Sequence, residues 1–211
     1  HWDVEAPYVA VGVADDGTVL SNAAVQFSDL LGDQRFSIVA SSVSSYANTE
    51  ISYTNLRHRL RWGASLYDYR DFYARFYSSG GTSQRDQVQR TTGTDFLVQY
   101  PLSRHYRIDG SVGFVDRSQD YIAGVNRVNG QPVTAAVKDR FVLFRTGFTG
   151  DTTRFQEWGP FQGKRFNVSA TYGADAGGDL SGNLLTYTAD FRAYKQLTRR
   201  SVLAWRVSGI F

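Results

Sequence analysis

TGTDFLVQYPLSRHYRIDGSVGF, residues 92–114, contains two strands and the turn between them. Phe96, Val98 and Tyr100 recur at every second position, with Asp95 and Gln99 between them. Pro101 and Ser103-Arg104-His105 interrupt the pattern, which resumes with Ile108, Val112 and Phe114 on one face and Asp109 on the other. A period of two is the signature of a strand with one apolar and one polar face. A connection this short, with Pro at its start, joins antiparallel neighbours.

The same alternation extends in both directions. Turn signals and periodicity predict eleven strands, at about 5–15, 19–31, 35–46, 50–56, 60–76, 91–102, 106–118, 139–151, 164–175, 184–196 and 201–211. Val9, Val11 and Val13 share a face in the first; Ala23, Val25 and Phe27 in the second; Phe36, Ile38 and Ala40 in the third. The last strand, SVLAWRVSGIF, aligns Leu203, Trp205, Val207, Gly209 and Phe211. The opposite face is no ordinary core, because it carries Asp95, Asp109, Arg145, Asp151, Arg165, Asp190 and Arg192 among small residues. Connections at 32–34, 102–105 and 198–201 are short, whereas those at 77–90 and 119–138 are long and polar.

Composition agrees with an all-β chain. Thirteen Tyr, fourteen Phe and twenty Gly stand against four Pro in 211 residues, a mixture suited to many strands and tight turns. The longest aliphatic-aromatic runs, such as Phe141-Val142-Leu143-Phe144, are far too short for a membrane helix. The mean hydropathy of −0.35 is compatible with a membrane barrel, whose lipid-facing residues alternate with polar ones. Alternation alone does not separate such a barrel from a soluble sandwich, which buries its apolar face against a second sheet. Ten-residue strands with aromatics near their ends, and short turns opposite long loops, favour the barrel. The expected fold is therefore all-β, an antiparallel transmembrane β-barrel forming a single domain over residues 1–211.

Catalytic patterns are absent from the sequence. Without cysteine there is no disulfide, thiolate nucleophile or Cys-ligated metal. No nucleophile elbow or phosphate-binding glycine loop occurs, and Gly177-Gly178 with Gly182 reads as a hairpin loop. His1, His58 and His105 are far apart and fall at a terminus or in turns, a poor basis for a zinc site. Asp15-Asp16 beside Gly17 is turn chemistry. Asn167-Val168-Ser169 matches a glycosylation triplet but lies inside a predicted strand. The cluster Arg57, His58, Arg59 and Arg61 near Tyr53 and Trp62 suits a charged turn at a membrane surface with an anchoring Trp better than a nucleic-acid patch. The net charge of +3 adds nothing to the nucleic-acid reading. The expectation is a non-enzyme with no cofactor, no metal and no nucleic-acid partner. Starting at His1 with no Met and no signal-type segment, the chain reads as a mature or trimmed product.

WGPFQGKRFNVSATYG (158–173) resembles the Pro-x-x-Gly-x-Arg-hydrophobic-x-hydrophobic signature of a late barrel strand in the BamA/TamA outer-membrane assembly family. The matching positions are Pro160, Gly163, Arg165, Phe166 and Val168. NTEISYTNLRHRLRWGASLYDY (48–69) is similar to that family's fourth and fifth strands, and 92–114 to its sixth and seventh. VQFSDLLGDQRF (25–36) resembles a second–third hairpin of members attached to periplasmic propeller domains. The resemblance implies an outer-membrane barrel of sixteen strands with its N-terminus in the periplasm. It also implies a first-strand seam, here Tyr8, Val9, Ala10, Val11, Gly12 and Val13, at which client outer-membrane proteins are templated. Implied partners are outer-membrane lipid and lipopolysaccharide, unfolded clients, and periplasmic repeat or propeller domains.

The chain also departs from that pattern. The family's Val-Arg-Gly-Phe loop motif does not occur, five strands are missing, and there is no periplasmic repeat segment. The last strand thus reads as a cut edge of an incomplete barrel. A passive pore, a membrane anchor for a periplasmic partner and a soluble lipocalin-like barrel stand as alternatives.

Overall fold

The computed structural model describes residues 2–15, 17–43, 46–77, 84–125, 132–157, 159–179, 182–198 and 201–211, and for 6, 72–77, 84–87, 122–125 and 132–134 it describes the backbone alone. The described residues form twelve strands: β1 (Trp2–Val13), β2 (Val19–Asp29), β3 (Gln34–Val43), β4 (Tyr46–Asn55), β5 (Arg61–Tyr77), β6 (Gln84–Pro101), β7 (Tyr106–Val125), β8 (Pro132–Asp151), β9 (Arg154–Gln156), β10 (Gly159–Gly178), β11 (Leu184–Thr198) and β12 (Ser201–Ile210). They form one antiparallel sheet in the order β1 to β8, β10, β11, β12, with β9 pairing only β10. The eleven strands expected from alternation are the eleven of this path. The sheet is open, because β1 and β12 do not pair with each other. Among the described residues no helix is long and apolar enough to cross a membrane.

Register confirms which residues share a face. Phe27, Phe36, Tyr53, Ala64, Phe96, Val112, Phe144 and Tyr172 lie opposite one another in turn across eight strands. The next row of that face is Val25, Ile38, Ile51, Leu66, Thr94, Phe114 and Val142. The other face carries Ser37, Ser52, Ser65, Asp95 and Gly113 in one row. Nothing packs on the apolar face: Ala193 is the only buried apolar side chain among the described residues. This excludes a sandwich, whose two sheets would bury such rows against each other.

The connections differ from expectation at one end. The loop expected over 119–138 is strand up to Val125 and again from Pro132. Gln119 pairs Val137 and Asp120 pairs Ala136, because ladder hydrogen bonds continue without regard to apolar alternation. Pro132 begins its strand, where its missing N–H costs least. The polar segment 77–90 likewise becomes strand from Gln84. His1, Asp16, Asn129-Gly130 and residues 78–83 of the expected polar loop lie outside the described residues, as does Trp158. A tilted membrane strand needs about ten residues. β1 to β4 have 10 to 12, whereas β7, β8 and β10 have 20 each and extend well past that length.

The tight turns are built from their own polar groups. Gly32 adopts φ 70° and its N–H reaches the Asp29 carbonyl at 2.8 Å. Ser103 Oγ accepts from the N–H groups of His105 (3.1 Å) and Tyr106 (3.2 Å). Arg59 ties two turns together, donating to the carbonyls of Pro101 (3.0 Å) and Leu102 (2.9 Å) while its guanidinium covers the Tyr100 ring. One member of the basic cluster is therefore a staple between neighbouring turns.

Candidate functional site

Tyr8, Val9, Ala10, Val11, Gly12 and Val13 all fall in β1, opposite Ala24, Ala23, Asn22, Ser21, Leu20 and Val19. Among the described residues β1 is paired on one side only, and the far edge of such a strand carries backbone N–H and C=O groups that another strand can pair. Val9, Val11 and Val13 are about 70% exposed (71, 70 and 69%). The ladder to β2 is broken between Glu5 and Tyr8, where Pro7 supplies no N–H. A bulge containing Pro is tolerated on an edge strand and weakens its hold on the sheet. Glu5 and Gln26 bridge the break with a side-chain hydrogen bond of 2.6 Å. β12 forms the other free edge, with Trp205, Val207 and Phe211 exposed on the apolar face.

The five motif residues gather at the foot of β10. Pro160 pairs Phe155 in the small β9–β10 hairpin. Gly163 sits at φ 111°, and a Cβ there would strike the Thr152 carbonyl; only glycine fits both conditions. The bend it makes lets Lys164 C=O accept from Thr152 N–H at 2.8 Å and hands the chain from the hairpin to the main sheet. Arg165 faces Asp151 across the β8 register at 3.7 Å. Phe166 lies within 5.4 Å of Phe148 and 6.5 Å of Phe191, over Gly150. Val168 is exposed on the apolar face.

Phe166 belongs to an aromatic row running Tyr106, Phe148, Phe166, Phe191 and Trp205. Phe27–Phe36 and Tyr53–Trp62–Phe96 form corresponding groups on the earlier strands. Such rows along one end of an apolar band match the aromatic girdle found in membrane barrels.

The polar face carries paired charges: Asp95 with Arg145 (3.5 Å), Asp109 with Arg107 (3.6 Å) and Asp139 with Arg117 (2.8 Å). Asp190 accepts from both Arg192 (2.9 Å) and Arg206 (3.0 Å). Glycines on this face give room for neighbours to lean across, with the Tyr67 ring over Gly93 and the Asp95 carboxylate over Gly113. Asn167, the would-be glycosylation site, donates to Thr149 Oγ1 at 2.8 Å inside the ladder. Among the described residues no three His, Cys, Asp or Glu could hold a metal.

Alternation identified the strands but missed the Arg117–Asp139 pair, whose carboxylate is only 5% exposed, because the two residues lay at strand ends separated by a predicted loop. A signal was present: Asp116-Arg117 read against Asp139-Arg140 is charge-complementary in antiparallel order, and the structure pairs Asp116 with Arg140 and Arg117 with Asp139.

One unclosed antiparallel sheet, apolar on one face and polar on the other, is the fold of a β-barrel of outer-membrane type. The comparisons agree at that level. The chain is similar to the crystal structure of BamA from Haemophilus ducreyi lacking POTRA domains 1-3, with a TM-score of 0.63 and 14% identity. The match covers 99% of this chain and 41% of that one, so the chain spans well under half of the protein it resembles. No protein-family model matches, and no curated protein matches the sequence.

Proposed function

We propose that the chain is part of an outer-membrane β-barrel of BamA/TamA type, with its short turns and N-terminus in the periplasm, whose first strand takes part in the assembly or translocation of outer-membrane proteins. The carrying observation is the broken ladder that holds β1, an edge strand of the described sheet, in a fold similar to the BamA barrel. Such an edge captures an incoming strand by β-augmentation: backbone hydrogen bonds supply affinity without demanding a particular client sequence. On this reading the protein is not an enzyme, and its partners are outer-membrane lipid including lipopolysaccharide, unfolded barrel clients, and periplasmic repeat or propeller domains.

The test is disulfide trapping in proteoliposomes with the full-length protein. Val11→Cys is expected to cross-link to a cysteine in the terminal strand of a folding client, and the protein to speed that client's folding. Absence of both outcomes refutes the assembly role. The paired charges on the polar face favour one second reading, a water-filled pore. Single-channel conductance without client folding would establish that reading instead.

A further inference from the structure

The apolar face changes character beyond its aliphatic rows. On β5 to β8 the row after Leu66, Thr94, Phe114 and Val142 is Asp68, Thr92, Asp116 and Arg140, and the next is Arg70, Arg90, Ser118 and Lys138. An open groove of about 710 Å³ straddles this boundary. Its apolar part is Ile51, Leu66 and Phe114; its charged part includes Arg90, Lys138 and Arg140.

The cations outnumber the carboxylates. Arg90 grips Asp68 with two bonds of 2.8 and 3.0 Å, Arg70 approaches the same carboxylate at 3.5 Å, and Arg140 reaches Asp116 at 3.1 Å. Three arginines thus share two carboxylates, and Lys138, whose backbone N–H donates to Asp179 Oδ2 at 2.8 Å, adds a fourth cation to the row. Arg70 and Arg90 stand directly opposite each other in the ladder, where like charges repel unless an anion lies between them. Asp68 neutralises only one of the two. Arg70 Nε is buried without a hydrogen-bond partner among the described residues.

We infer that this groove binds a phosphorylated lipid of the surrounding membrane, its acyl chain along Ile51, Leu66 and Phe114 and its phosphate between Arg90, Lys138 and Arg140. The inference rests on the membrane-barrel reading, which turns this face toward lipid. It goes further by giving the lipid a site on named strands. Charge complementarity selects the occupant: an amphiphile with an anionic head presents its two chemistries in the same order as the groove. A zwitterionic lipid gains the apolar contact but cancels its phosphate with its own amine. Arginine and lysine toward phosphate form charge-assisted bonds, the stronger class of hydrogen bond.

Native mass spectrometry of the full-length protein, released from micelles, reads the bound lipid. Bisphosphorylated lipid A is expected to be retained at least tenfold over phosphatidylethanolamine. Lys138→Gln, and the charge-neutral double change Asp116→Asn with Arg140→Gln, should each reduce that retention at least fivefold. Arg57→Gln, at the opposite end of the sheet, should not. Heat-modifiable migration shows whether each variant is folded. Equal retention of the two lipids, unaltered retention in both groove variants, or displacement by millimolar inorganic phosphate would overturn the inference. Carbonate extraction separates the two levels: a protein stripped from membranes sinks the barrel reading and the groove with it. One that stays embedded but binds lipids indifferently sinks the groove alone.

Discussion

Gly163 and Gly12 show how differently one residue type can serve in distant parts of one sheet. At Gly163 the φ of 111° and the Thr152 carbonyl both exclude a side chain. Gly163→Ala is expected to cost about 1–3 kcal/mol from backbone strain, before any collision is added. At Gly12 a Cβ would meet nothing within 4 Å, so Gly12→Ala should stay within about 0.5 kcal/mol. Urea unfolding of the two variants in the same liposomes checks the contrast. Equal effects would mean that the bend at the foot of β10 is not rigid. The Pro160–Val168 pattern showed that this stretch was special, but not why. The reason is a carbonyl eleven residues upstream that only the hairpin geometry brings to Gly163.

Strands were the most legible elements, and their ends the least. Alternation depends on which face each side chain takes, a local property, so all eleven main strands were readable from sequence. β9 was not, since three residues, Arg154–Gln156, are too few to show a period. The extensions of β6, β7 and β8 were also missed, because polar segments pair through backbone and cross-strand charge rather than through burial. The elements also differ in how firmly they are held. β7 is paired on both sides over most of its length, whereas β1 has one neighbour and a broken ladder. Local opening should therefore begin at β1. In amide hydrogen exchange, peptides covering 2–13 are expected to exchange well before those covering 106–118. Equal protection would show that a further strand covers the β1 edge, and would weaken the case for client capture there.

At the scale of the whole sheet the central fact is a broad apolar face on which none of the described residues packs. Val168 is 52% exposed and decides what covers that face. In water, Val168→Arg at so exposed a site would be nearly neutral. In a bilayer it should destabilise by about 2–4 kcal/mol if the residue lies near mid-membrane, which unfolding in liposomes measures directly. A neutral result would return the chain to the soluble-barrel alternative. The sequence by itself determined the strands, the tight turns and the two unlike faces, since all of these rest on spacing and residue type along the chain. Tertiary structure alone decided that a single sheet forms rather than two packed together, that the β1–β2 ladder breaks after Glu5, and that four cations gather at the border of the apolar band. These follow from register and from what lies across each face, contacts between residues too far apart in the chain for any local pattern to record.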